Sequence, residues 1–163
     1  MSKAGMTLII FSLLAPLAAL AQESGEHRGL GYAYFAPGAS SPGGTGTFQT
    51  GAGGEGLVYK GLGVGGELGY VAPWRSARDG LGVASANGSY HFSRRKKLDP
   101  FVTGGYTLFF RSGHANLFNV GGGVDYWFRE RLGLRLEIRD QVWPSQYGTT
   151  GHFWGVRIGI AFR

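Results

Sequence analysis

The chain has no cysteine, which removes disulfides and thiolate metal sites from consideration. Beyond its N-terminal segment it has no long apolar run, and a helix needs about 20 such residues to cross a bilayer. Nor does any amphipathic helical pattern occur between its extended segments. Acids are few, 10 Asp and Glu against 16 Lys and Arg, for a net charge of +6. An excess of base attracts nucleic acid, but the densest cluster, Arg94-Arg95-Lys96-Lys97, is one short turn with no basic helix or zinc motif around it. No nucleic-acid partner is expected. What is abundant is glycine, 31 of 163 residues, together with 14% aromatics and a mean hydropathy of -0.06. Apolar residues are plentiful but interrupted.

The N-terminus reads as an address. Lys3 supplies a positive charge, Met6 to Leu14 a short apolar stretch, Pro16 a break, and Ala19-Leu20-Ala21 a small-x-small cleavage site. The expectation is a cleaved signal peptide over 1–21, a periplasmic linker over 22–27 and a barrel domain over 28–163.

From Gly29 onward the dominant period is two, the signature of strands. Leu30, Tyr32 and Tyr34 share a face in the first. Leu62, Val64, Leu68 and Tyr70 oppose Gly63, Gly65, Glu67 and Gly69. Ala84, Ala86, Gly88, Tyr90 and Phe92 oppose Val83, Ser85, Asn87, Ser89 and His91. Leu132, Leu134, Leu136 and Ile138 oppose Arg135, Glu137, Arg139 and Gln141. In the last strand Trp154, Val156, Ile158, Ile160 and Phe162 oppose Gly155, Arg157, Gly159 and Ala161. The count is about eight strands, each near the roughly 9–11 residues that span a bilayer when tilted. They are separated by Ala36 to Gly46, Lys60-Gly61, Pro73 to Gly80, Ser93 to Pro100, Arg111 to Ala115, Arg129 to Arg131 and Trp143 to Gly151. Aromatics such as Tyr34, Tyr59, Tyr90, Phe110, Phe128 and Phe162 gather at strand ends, as interfacial girdles do.

Charge placement chooses between a soluble and a membrane barrel. Glu67, Asp125, Arg135, Glu137, Arg139 and Arg157 lie opposite the large apolar faces and well inside strands. A charge in hydrocarbon costs several kcal/mol, so these residues are expected to fill the lumen, where an eight-stranded barrel has room for little else. The short turn at Arg129–Arg131 sets Asp125 against Arg135, and the last hairpin can set Glu137 against Arg157. Glu55 joins them if Tyr59-Lys60-Gly61 is a bulged three-residue loop in which Val58 pairs with Leu62; Val58, Gly56 and Gly54 then point outward. With His91, the lumen set is Glu55, Glu67, His91, Asp125, Arg135, Glu137, Arg139 and Arg157, read as a structural network of mutual ion pairs.

No catalytic residue, metal or cofactor is expected. Ser89 and His91 point inward together, His114 and His152 lie at strand ends without an evident acid, and the four histidines form no metal-ligand spacing. Gly121-Gly122-Gly123 and Gly63-Val64-Gly65-Gly66 lie inside strands with no helix after them, so they are not phosphate loops. They read as space for bulky inward groups such as Trp127.

The signal peptide, the glycine-rich alternating strands, Leu134-Arg135-Leu136-Glu137-Ile138-Arg139-Asp140 and the closing Gly155 to Phe162 resemble small bacterial outer-membrane β-barrel proteins of the OmpA transmembrane-domain and OmpX type. That resemblance implies an all-β, eight-stranded antiparallel up-and-down transmembrane barrel located in the outer membrane. Its partners would be outer-membrane lipid, lipopolysaccharide and the barrel-assembly machinery, and it would be monomeric. It also implies that Trp154, Val156, Ile158, Ile160 and Phe162 serve as an assembly signal, here followed by Arg163. Loop residues Trp74-Arg75-Ser76-Ala77-Arg78 and Trp143 to Tyr147 are candidates for surface contacts. The rival readings are a narrow pore, a barrel binding lipid or another hydrophobic small molecule, a lipid A-modifying enzyme, and a soluble exported lipocalin-like carrier.

Overall fold

The structure, a computed structural model, describes residues 29–94, 96–144 and 148–163. The expected signal peptide and linker, Arg95 of the basic turn and Ser145-Gln146-Tyr147 of the last loop lie outside the described residues. Eight strands follow in order: β1 Gly29–Ser41, β2 Thr45–Tyr59, β3 Leu62–Pro73, β4 Leu81–His91, β5 Leu98–Phe110, β6 His114–Trp127, β7 Leu132–Trp143 and β8 Gly151–Phe162. Each pairs antiparallel with the next, and β1 pairs with β8 to close the barrel. Among the described residues the only helical element is a single 3-10 turn at Ala77–Asp79, and none of them forms a helix long and apolar enough to cross a membrane.

Closure removes every open sheet edge and divides the side chains into two sets. Outward go most of the large apolar residues, for instance Ile138, which is 65% exposed. Inward go the charges, with Glu67 only 3% exposed and Asp125 fully buried. The arrangement inverts that of a water-soluble barrel; it would satisfy both sets in a bilayer, where the outside holds no water.

The structure corrects several local expectations. Ala36 to Gly46 is not a long loop. β1 runs to Ser41 and β2 starts at Thr45, so only three residues connect them. The residues between remain in the ladder because Ala36 is buried in the lumen and Pro37, which has no N–H to donate, sits where the β1–β8 pairing is interrupted between Phe35↔Ile158 and Gly38↔Gly155. Leu30, Tyr32 and Tyr34, expected among the outer aromatics in the case of Tyr34, all face inward. The space comes from Gly53, the β2 partner of Tyr32: a Cβ there would lie 2.7 Å from the Tyr32 ring and hydroxyl.

The β2–β3 turn also differs. Lys60 and Gly61 both have positive φ (34° and 96°), and Tyr59 pairs with Leu62 across a two-residue turn. The extra residue sits one place earlier, at Val58, where the register shifts between Leu57 and Tyr59. A bulge inside the strand serves the same end as the expected bulge in the turn. Below it Leu57↔Gly63, Gly56↔Val64 and Glu55↔Gly65 pair as anticipated, and Glu55 faces the lumen.

Candidate functional site: the charged lumen

The lumen contains three layers. The middle layer is centred on Glu67 of β3. Arg157 Nη1 donates to both of its carboxylate oxygens at 3.0 Å, Arg139 Nη1 to Oε1 at 2.8 Å and the Tyr32 hydroxyl to Oε2 at 3.0 Å. Glu137 accepts from Arg139 Nε and lies 3.6 Å from Arg135 Nε. The Arg157 guanidinium stacks 4.2 Å from the centre of the Tyr34 ring, whose hydroxyl accepts from Gln49 Nε2 at 2.9 Å. Such packing of guanidinium on a desolvated ring adds to the ion pairs. Glu137 and Arg157 are cross-strand partners, as the hairpin suggested, but the ion pair of Arg157 is with Glu67, not Glu137. The lumen is narrow enough for a long side chain from β8 to reach β3 on the far wall.

The second layer lies at the end where Gly29 and Arg163 emerge, called here the terminal end. His91 Nε2 lies 2.6 Å from Glu55 Oε1, and its Nδ1 2.9 Å from Asp99 Oδ2. Ser89 Oγ donates to Glu55 Oε2 at 2.7 Å, and the Ser93 backbone N–H to Asp99 Oδ1 at 2.9 Å. Asp125 and Arg135 are cross-strand partners, with Arg135 Nη1 3.4 Å from Asp125 Oδ2 and 3.9 Å from Glu55 Oε1. The Arg135 guanidinium is held between the rings of Tyr32 (4.4 Å) and Phe101 (3.9 Å). Asp99 was not among the expected lumen residues, because it follows the basic run and precedes Pro100, both turn signals. In the structure β5 begins at Leu98, and Asp99 is buried with inward parity.

A wide vestibule of about 950 Å³ opens below this layer and reaches His91, Asp99 and Trp127. Arg163 folds across its rim: its guanidinium lies 4.3 Å from the centre of the Trp127 ring, Nε donates to the Glu130 carbonyl and Nη1 to that of Arg94. Phe162 remains outward, in line with Trp154, Val156, Ile158 and Ile160, all exposed. Arg163 therefore lies on the rim of the vestibule and leaves Phe162 on the outer face.

The third layer, at the opposite or loop end, is apolar. Val71, Val83, Phe109 and Leu117 are buried together, with Leu81, Ala115 and Phe153 packed against them. The Phe109 and Phe153 rings meet edge to face at 5.2 Å. Beneath them Thr107 bridges Ser85 (2.8 Å) and Asn119 (2.9 Å).

The arrangement bears on catalysis. Both ring nitrogens of His91 face carboxylates and the Ser89 hydroxyl is committed to Glu55, so His91 has no nitrogen left to act as base for Ser89. His152, expected to lack an acid, has one: its Nδ1 lies 2.8 Å from Asp140 Oδ2 on the outer rim of the loop end. Trp74 is half-exposed but not free, since its ring packs 5.1 Å from Phe48 and 6.0 Å from Phe35.

No protein-family model matches the chain, and none of the curated proteins matches it in sequence. Solved structures do match. The N-terminal β-barrel domain of Pseudomonas aeruginosa OprF aligns with a TM-score of 0.64 at 15% identity, covering 83% of this chain and 96% of that one. Neisserial surface protein A gives 0.60 at 15% identity, covering 82% and 94%. A de novo designed transmembrane β-barrel gives 0.56 at 21% identity, covering 84% and 97%. The chain is thus an eight-stranded antiparallel barrel with the fold of the small outer-membrane β-barrels.

Proposed function

We propose that this chain is an integral outer-membrane barrel with a structural role, a monomer whose lumen is a plug of mutual ion pairs. The observation that carries the reading is the inversion of its surface. Apolar side chains as large as Ile138 and Phe118 are exposed around the wall, while Glu67, Asp125, Arg135, Glu137, Arg139 and Arg157 are buried inside it. In water, that distribution would expose a continuous apolar belt and bury charge needlessly; in a bilayer it places each group where its free energy is lowest. The fold shared with outer-membrane barrels supports the same location.

The apolar layer at the loop end favours a plug over a pore: Val83 and Leu117 are essentially inaccessible. The outward row Trp154, Val156, Ile158, Ile160 and Phe162 is the surface that barrel-assembly machinery would read. At the loop end, Trp74 and Trp143 offer half-exposed rings to lipopolysaccharide, whose headgroups lie at that level if the terminal end is periplasmic.

Cell fractionation combined with electrophoresis of heated and unheated samples tests the assignment. The expected result is an outer-membrane protein whose unheated, folded form migrates differently from the heated one. A monodisperse protein that stays soluble without detergent would make it a carrier instead. Planar-bilayer recording tests the plug: no steady conductance is expected, and discrete channel openings would turn the reading to a pore.

A further inference from the structure

The charges of the lumen do not balance, and the imbalance is local. In the middle layer Glu67 and Glu137 meet Arg139 and Arg157, two negative against two positive. At the terminal end, among the described residues, Glu55, Asp99 and Asp125 surround one buried arginine, Arg135, with His91 among them. Counting His91 as an imidazolium, with a carboxylate on each ring nitrogen, that group still carries an excess of one negative charge. Asp99 and Asp125 are, moreover, direct cross-strand partners on β5 and β6, and both are buried. Like charges directly opposite one another repel, and burial strengthens the repulsion.

Two further observations point to what relieves it. Asp125 is wholly buried, and while its Oδ2 meets Arg135, its Oδ1 has no hydrogen-bond partner. His91, Asp99 and Asp125 each offer a ligand-capable atom, and the three atoms lie within 4.8 Å of one another. His91 is fixed by the Phe101 ring stacked 5.3 Å away, and its Nε2 is held by Glu55, the outer carboxylate that orients metal-bound imidazoles. Arg135 is clamped between Tyr32 and Phe101 and meets the other oxygen of Asp125. The vestibule reaches His91 and Asp99 from the terminal end, and Lys60 and Lys96 on its rim are exposed, where salt screens them.

We propose that His91, Asp99 and Asp125 form a binding site for one divalent transition-metal ion of the zinc class. One imidazole with two carboxylates is a borderline donor set that suits such ions. An ion of charge +2 neutralises the layer, takes the unpartnered Asp125 oxygen as ligand, and separates the two aspartates. Without metal, the proton shared between His91 Nδ1 and Asp99 occupies its place, so binding releases a proton. Neither the expected ion-pair plug nor residue spacing along the chain contains this site: its ligands come from β4, β5 and β6 and meet only when the barrel closes.

The test uses the folded barrel in detergent, stripped with chelator, in a background where His27, His114 and His152 are replaced by glutamine. Calorimetric titration with Zn²⁺ in buffers of different ionisation enthalpy is expected to show one equivalent bound and proton release. Asp125→Asn and His91→Gln should each weaken binding by more than about tenfold, the scale of disturbing a metal site. Cu²⁺ electron paramagnetic resonance of the same background, which needs no lumen variant to fold, should show coupling to a single imidazole nitrogen. Absence of a saturable equivalent, unchanged affinity in folded Asp125→Asn, or a copper spectrum without nitrogen coupling would overturn the proposal.

Discussion

The two ends of the lumen solve the same packing problem with opposite chemistry. At the loop end Val71, Val83, Phe109 and Leu117 fill the barrel as an ordinary hydrophobic core does. At the terminal end and in the middle, the filling is guanidinium, carboxylate and aromatic ring, with Arg135 between Tyr32 and Phe101 and Glu67 under two arginines. The apolar end has only complementary volume to satisfy. The charged end has to satisfy direction and charge as well, so it is the half that fixes which strand sits opposite which. Removing one partner there leaves buried charge behind, whereas removing an apolar group leaves a void.

The largest effect is therefore expected at Glu67. Glu67→Gln strands Arg139 and Arg157 without their carboxylate and should lower unfolding stability by about 4 kcal/mol, read as a fall in the urea midpoint of the folded barrel in lipid. If stability changes by less than about 1 kcal/mol, the network does not hold the wall in the way described. Phe109→Ala should cost about 3 kcal/mol through the cavity it opens. Amide exchange should accelerate around β5, β6 and β8 at the loop end and leave the His91 layer protected; uniform acceleration would erase the division between the ends.

A smaller change sharpens the contrast. Gly53→Ala puts a methyl group into the Tyr32 ring and should cost about 1–3 kcal/mol by overpacking. Tyrosine fluorescence or ring chemical shifts should report the displacement of Tyr32 from Glu67. Smallest of all is the exposed pair Arg111–Asp79, 3.8 Å apart on the loop-end surface. Asp79→Asn should move stability by no more than about 0.5 kcal/mol, and a larger loss would mean that the surface pair matters as much as the buried network.

Much of this contrast was legible along the chain. Period two separates Arg135, Glu137 and Arg139 from Leu134, Leu136 and Ile138 without reference to coordinates, and the Arg129–Arg131 turn is short enough to carry that register to Asp125. The same parity extends inward to Val71, Val83, Phe109 and Leu117, so the apolar layer was also within reach of the pattern. Three features were not. Leu30, Tyr32 and Tyr34 form a large, mostly apolar face that reads as lipid-facing, and only their pairing with Gly53 and the reach to Glu67 turns them inward. Asp99 is hidden between a basic run and a proline. Arg157 meets Glu67 from the far side of the barrel, 90 residues away along the chain, and local hairpin reasoning stops at its cross-strand partner Glu137.

The central claim is that the wall of this barrel meets hydrocarbon. Because the chain has no cysteine, single cysteines at Ile138 and Val120, 65% and 60% exposed on the outer face, can be spin-labelled without background. In reconstituted vesicles the labels should collide more often with oxygen, which partitions into lipid, than with a water-soluble nickel complex. A label at Ile138 that is more accessible to the nickel complex than to oxygen would contradict the account.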